Sequence, residues 1–193
     1  RDDLLTGVQT CALPILERLE GEARTDGDVI TGAGFTFEAL HTPGHISNHL
    51  CFAFREEATL FTGDHVMGWS TSVVPAPDGD LNDYLENLER LLYRPETTYR
   101  PTHGPAITDP IPYVTALIEH RRMRERQIVD ALAGGPRGII SIVEELYADI
   151  DPKLHKAAGA SVYAHLLALS RAGRVESLAD GDESDWKADW RLA

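Results

Sequence analysis

The first half of the chain alternates apolar and polar residues in short runs, the period of half-buried strands. Residues 27–30 and 35–40 read as paired strands joined through Thr31-Gly32-Ala33-Gly34. Residues 50–54 form a third apolar run. A charged turn at 55–58 leads to a returning strand at 59–62, and residues 98–100 are extended again. The period changes in between. Leu81, Tyr84, Leu85, Leu88, Leu91 and Leu92 recur at helical spacing, with Asp80 placed to cap the helix and Arg94-Pro95 to end it. Pro110 and Pro112 mark the start of a long helix from Tyr113 to about Leu132, and Ala133-Gly134-Gly135-Pro136 breaks the chain. Ser141-Ile142-Val143-Glu144 reads as a capping box opening a short helix to Ala148. Leu154, Ala158, Val162, Leu166 and Leu169 mark a further helix, stopped by Gly173. Residues 174–178 read as a strand, 179–184 as a turn and 186–192 as a returning strand. The chain reads as mixed α/β, and its last part has the helix, helix, helix, hairpin order of a winged-helix domain.

The chemistry gathers at strand ends. Three times a short strand runs into a glycine-bearing turn that presents His or Asp: His45 in His41-Thr42-Pro43-Gly44-His45, Asp64 in Thr62-Gly63-Asp64, and His103 in Thr102-His103-Gly104-Pro105. A pair of histidines in one loop is by itself more often a set of surface or packed polar residues. Three such strand ends on one sheet edge would bring the side chains together, and imidazole with carboxylate suits zinc or a similar divalent metal. Asn48 and His49 either orient a ligand or hold the loop. Trp69 and Ser70, soon after Asp64, either line a substrate pocket or anchor the loop. His120 falls on an apolar helical stripe and reads as structural. The charged run 119–126 reads as a solvated face or an interdomain salt-bridge layer.

Charge and composition narrow the picture. The net charge is −13. Residues 1–112 hold 7 basic and 18 acidic residues, and residues 113–193 hold 11 and 13. Neither part has a nucleic-acid footprint, although metal ions can supply positive charge locally to a phosphodiester. No apolar run reaches the ~18 residues of a membrane span, and the expected location is the cytoplasm. Of two cysteines, Cys11 and Cys51, the second lies in a strand and reads as a small core residue. Oligomerisation stays open.

The three motifs in this order resemble the second half of the metallo-beta-lactamase superfamily. The resemblance runs from about Gly32 to the C-terminus and implies the C-terminal half of an αββα sandwich, followed by the winged-helix domain of a hydrolase branch that includes endoribonuclease-like members. It implies two divalent metals, expected to be zinc, with His45 on the first, His103 on the second and Asp64 bridging. Metal-activated water would then attack an ester, thioester or phosphodiester. Asp64 stands where penicillin-cleaving members often carry Cys, which points away from lactamase activity. The family's H-x-H-x-D-H motif is not found. Residues 6–15 resemble a translated sequencing adapter, so the expected division is 1–15 non-native, 16–112 a partial metallo-beta-lactamase domain, and 113–193 a connecting helix with a winged-helix-like domain. On this reading the chain is a weak or inactive hydrolase fragment with a bare apolar face on strands 35–40 and 50–54. The competing reading is a non-catalytic interaction or regulatory module built on the winged helix. Its expected wing, Asp180, Asp182, Glu183 and Asp185, would repel phosphate.

Overall fold

A computed structural model describes residues 25–179 and 186–193. The adapter-like segment and the four wing acids lie outside them. Five strands form one sheet in sequence order: β1 (Val29–Gly32), β2 (Phe35–His41), β3 (Leu50–Phe54), β4 (Thr59–Gly63) and β5 (Thr98–Pro101). Strands β1 to β4 pair antiparallel, whereas β4 and β5 pair parallel. A parallel pair cannot be joined by a tight turn; here the crossover carries helix α1 (Leu81–Leu91). Directions follow from this pairing: β2, β4 and β5 all run the same way and end on the same edge of the sheet.

Helix α1 begins as expected. The Asp80 carboxylate accepts hydrogen bonds from the backbone N–H groups of Asn82 at 2.7 Å and Asp83 at 3.2 Å, and so satisfies two of the helix's free donors. Its apolar stripe, Leu81, Tyr84, Leu88 and Leu91, covers one face of the sheet. That face presents Leu40, Cys51, Ala53, Leu60 and Tyr99. On the opposite face the expected bare patch is partly closed by its own rings. Phe37 stacks on Phe54 at 5.0 Å and tilts against Phe61 at 5.9 Å, which leaves Phe37 buried and Phe35, Phe52, Phe54 and Phe61 half-buried.

The long helix α2 (Pro110–Leu132) starts at Pro110, earlier than the expected Tyr113, because proline at the first position loses no helical hydrogen bond. Its N-terminal half packs on the sheet core through Val114 and Ile118, and its C-terminal half enters a second core through Ile128 and Leu132. That second core is built by α3 (Ile139–Leu146), α4 (His155–Arg171) and a small sheet in the order β6-β8-β7, formed from β6 (Arg137–Gly138), β7 (Val175–Ser177) and β8 (Asp189–Leu192). Trp190 is fully buried in it, edge-on to Tyr163.

The capping box is corrected. Helix α3 starts at Ile139 with Gly138 as its cap residue, and Ser141 lies inside the first turn. The Arg137 guanidinium donates to both Ser141 Oγ, at 2.9 Å, and Ser141 O, at 3.1 Å, and so takes the hydroxyl that would have capped. Strand β6 escaped the sequence reading because two residues carry no periodicity. Among the described residues no helix is long and apolar enough to cross a membrane.

Helix α4 buries His165 at 1% exposure, with neither ring nitrogen hydrogen-bonded among the described residues. Burial, with Arg121, Arg124 and His120 nearby, pushes its pKa down to about 3. The folded chain therefore holds a neutral imidazole, while the unfolded chain takes up a proton below about 6.5. The folded state keeps its full advantage above that pH and loses it as pH falls from 6.5 toward 3. His165→Leu should accordingly gain on the parent by about 1.4 kcal/mol for each pH unit below 6.5, as read from urea melts at pH 7.5 and 5. A gap independent of pH would show that His165 takes up its proton in the fold as readily as in the unfolded chain.

Candidate metal centre

Because β2, β4 and β5 end on one edge, the turns after them meet. His45 follows β2, Asp64 follows β4 and His103 follows β5. The Asp64 carboxylate lies between the two imidazoles, with Oδ2 3.8 Å from His45 Nε2 and Oδ1 3.5 Å from His103 Nε2. Each oxygen thus faces one histidine. Asp64 Oδ1 is buried and takes no hydrogen bond among the described residues.

The His45 tautomer follows from its other nitrogen. Nδ1 lies 2.6 Å from Val73 O. A carbonyl can only accept, so Nδ1 carries a hydrogen, and in the neutral ring it is Nε2 that turns a lone pair toward the carboxylate. That lone pair and the buried Asp64 Oδ1, which has no hydrogen-bond partner among the described residues, are free to ligate, so the donor set fits a bound divalent metal. A histidine whose second nitrogen donates to a carbonyl is also the usual form of a metal ligand. Among the described residues no three His, Cys, Asp or Glu side chains close on a single point; the geometry is one imidazole per carboxylate oxygen.

His49, set beside the centre by the sequence reading, holds the loop. Its Nε2 accepts from the Asp64 backbone N–H at 3.2 Å, so its Nδ1 carries a hydrogen and donates to Thr42 Oγ1 at 2.8 Å. Thr42 Oγ1 in turn lies 3.3 Å from Cys51 Sγ, and that thiol donates to Thr62 O at 3.5 Å. The relay requires neutral His49, and burial lowers the His49 pKa to about 4. Gly63, with φ +54°, is required there, since a methyl on it would sit 2.6 Å from His49 Nε2. Asn48 is exposed.

On the other side of Asp64, Ser72 Oγ donates to the Asp64 carbonyl at 2.5 Å and to the His65 carbonyl at 3.1 Å. Helix α1 fixes the His45 turn. Asn87 Nδ2 donates to Pro43 O at 3.0 Å, Asp80 N–H donates to Gly44 O at 2.9 Å, and a methyl on Gly44 would meet Tyr84 Cα at 2.4 Å. The backbone N–H of Gly68 donates to His103 O at 2.8 Å and ties the third turn to the loop after Asp64. Ser72, Val73 and Asn87 escaped the sequence reading. Their partners lie elsewhere in the sequence, and each of these bonds uses a backbone carbonyl, which any residue offers.

Trp69 is 71% exposed beside Gly104, which rules out the core-anchor alternative for it. Ser70 and Thr71 form one wall of a groove whose other wall is α2, through Tyr113, Ala116, Leu117 and His120. Tyr113 Oη donates to Met67 O at 2.7 Å and closes one end. His120 is thus half-buried at the groove wall, on the face the sequence reading took as structural.

Two family profiles match the chain. The Metallo-beta-lactamase superfamily matches residues 6–103, and the Beta-lactamase associated winged helix domain matches residues 139–186. A beta-lactamase-like protein 2 homolog from Drosophila melanogaster is 32% identical over 79% of this chain and 52% of its own length. An atrochrysone carboxyl ACP thioesterase from Claviceps purpurea is 36% identical over 55% of this chain and 33% of its own. A metallo-beta-lactamase family protein from Thermus thermophilus superposes with a TM-score of 0.73 at 25% identity, over 88% of this chain and 54% of that one. The chain spans about half the length of the curated relatives it matches.

The His49 relay makes a direct prediction. His49→Leu leaves the Asp64 N–H without its partner and Thr42 Oγ1 with only the Cys51 thiol, and should cost about 1–3 kcal/mol in a urea melt at pH 7.5. A cost below a few tenths would show that the relay does not hold the turn.

Proposed function

The chain belongs to the metallo-beta-lactamase superfamily, a family of hydrolases, and on that footing we propose that it hydrolyses acyl thioesters at a two-metal centre on His45, Asp64 and His103. The observation that carries the reading is the Asp64 carboxylate with one imidazole at each oxygen, at 3.8 and 3.5 Å. Imidazole and carboxylate donors suit zinc, which is the metal we assign. His45 would hold one ion, His103 the other, and Asp64 would be shared. Bound there, the ions would supply a water deprotonated near neutral pH and polarise the scissile carbonyl.

The chain's own residues orient and exclude. Val73 O keeps the His45 lone pair on the metal side, while His49 and Ser72 hold Asp64 through its N–H and its carbonyl. The groove of Ser70, Thr71, Tyr113, Ala116, Leu117 and His120 is the assigned seat of the acyl chain, with exposed Trp69 and Val73 on the same loop. Its mostly apolar lining favours an acyl group, and a net charge of −13 disfavours a polyanion. A thioesterase among the relatives supports the same choice.

Ligand supply sets the expected rate. Among the described residues each metal position has one imidazole and a share in one carboxylate, whereas a catalytic zinc usually takes three protein ligands. The 193-residue chain should therefore bind zinc weakly and turn over slowly.

The test combines zinc titration against a chromophoric chelator with hydrolysis of an acyl-N-acetylcysteamine thioester and of bis(p-nitrophenyl) phosphate. Slow, zinc-dependent thioester cleavage is expected, faster than phosphodiester cleavage. Asp64→Ala should lower zinc affinity by at least ~10-fold and abolish turnover. Equal zinc uptake by the parent and the Asp64 variant would refute the centre, and a preference for the phosphodiester would refute the substrate class.

A further inference from the structure

Two of the three residues of the metal centre are held by one dipeptide, Asp64 through its backbone and His45 through its ring. Ser72 Oγ donates to the Asp64 carbonyl at 2.5 Å, and Val73 O accepts from His45 Nδ1 at 2.6 Å. That dipeptide lies in the loop after β4, outside any strand or helix, so its position needs an anchor. The anchor comes from α2. Arg121 is 3% exposed, and its Nη2 donates to Ser72 O. Its Nη1 donates to Ser161 Oγ on α4 at 3.4 Å, and its Cζ lies 5.3 Å from the centre of the Tyr84 ring on α1.

A buried cation is costly unless it is paired. Among the described residues Arg121 forms no ion pair with a carboxylate. A carbonyl, a hydroxyl and an aromatic face answer its charge instead. One arm of the planar guanidinium holds the Ser72 carbonyl while the other reaches Ser161 Oγ, so the two bonds are set in direction by one rigid group. The neighbours of Arg121 do not share this place: Arg122 is exposed and pairs with Glu89, and Arg124 lies over the Tyr147 ring at 4.1 Å.

We infer that Arg121 is a positioning residue for the metal centre, acting through Ser72-Val73 on His45 and Asp64 and seated by the helices of both cores. The inference rests on the metal-centre reading for its consequence, but not for its geometry. Removing the guanidinium frees the dipeptide. His45 then loses the acceptor that selects its tautomer, and Asp64 loses one of its two backbone clamps. Partners that orient metal ligands in this way are typically worth ~10- to 100-fold in metal affinity.

The experiment has two readouts. In the metal-free chain at pH 8, imidazole 15N shifts report the His45 tautomer. Zinc affinity is read by chelator competition. Arg121→Met keeps the stem and removes the donors; it should spread His45 over both tautomers and weaken zinc ~10- to 100-fold. Arg121→Lys, with one donor group in place of the fork, should fall between Arg121→Met and the parent on both readouts. Arg124→Met is the control for loss of helix packing, and it should lower the melting temperature while leaving both readouts within about twofold of the parent. The inference is overturned if Arg121→Met leaves the tautomer and the affinity unchanged, or if Arg124→Met moves them as far. Should Arg121→Met fail to fold, Arg121→Lys decides, and parent-like values there overturn the inference. If the parent itself takes up no zinc, the metal reading fails, while the tautomer in the metal-free chain still decides the role of Arg121.

Discussion

Parallel pairing of β4 with β5 is the constraint from which the centre follows. It forces the intervening chain to cross over the sheet, and α1 is what crosses. The crossover leaves both strands ending on the same edge, so Asp64 and His103 arrive together without any contact having to pull them there. It also lays the start of α1 against the His45 turn, where Asp80, Tyr84 and Asn87 meet the backbone of Pro43 and Gly44. One topological choice thus sets two residues directly and the third by packing. The functional edge is a by-product of chain direction, as it is in open α/β sheets whose ligands sit beyond the carboxyl ends of the strands.

What holds the centre still is polar and largely buried, and it is assembled from pieces far apart in the chain. His49, Thr42 and Cys51 come from one hairpin, Ser72 and Val73 from the crossover loop, Arg121 from α2 and Ser161 from α4. The surroundings are desolvated enough to keep imidazoles neutral. His65 is fully buried beside the rings of Tyr84 and His49, at 4.9 and 5.8 Å, and burial lowers its pKa to about 3. Polar groups in such a setting stabilise only when fully partnered. The loop that bears Trp69 and Ser70 is tied at both ends, by Gly68 to His103 and by Ser72 to Asp64. Its middle is left exposed toward the groove.

The sequence shows which strands end in chemistry, because Gly63, Gly44 and Gly104 each mark a turn with positive φ beside a His or Asp. It shows α1 and its cap, since Asp80 and the leucine stripe are local signals. It does not show which side chains are buried within a charged run. Arg121 reads like Arg122 and Arg126, and only the packing of α4 on α2 separates them. Nor does it show competition for a side chain: Ser141 and Glu144 have the spacing of a capping box, yet Arg137 takes the serine hydroxyl. The clamping carbonyls of Val73 and Ser72 lie beyond any reading by residue type. The local half of the centre could be read, and the half that rests on long-range contact could not.

The relay behind Asp64 ends on a thiol, and that has a kinetic consequence. Cys51 has no exposed surface, lies in the middle of the β2-β3-β4 ladder, and has its pKa pushed up to about 12 by burial. Thiol reagents attack the thiolate, so in the closed sheet it has neither the charge nor the access to react. Its alkylation can proceed only through openings that part β3 from β2 and β4. The rate at which Cys51 is modified is therefore a clock for the breathing of the same ladder that carries the turn before Asp64.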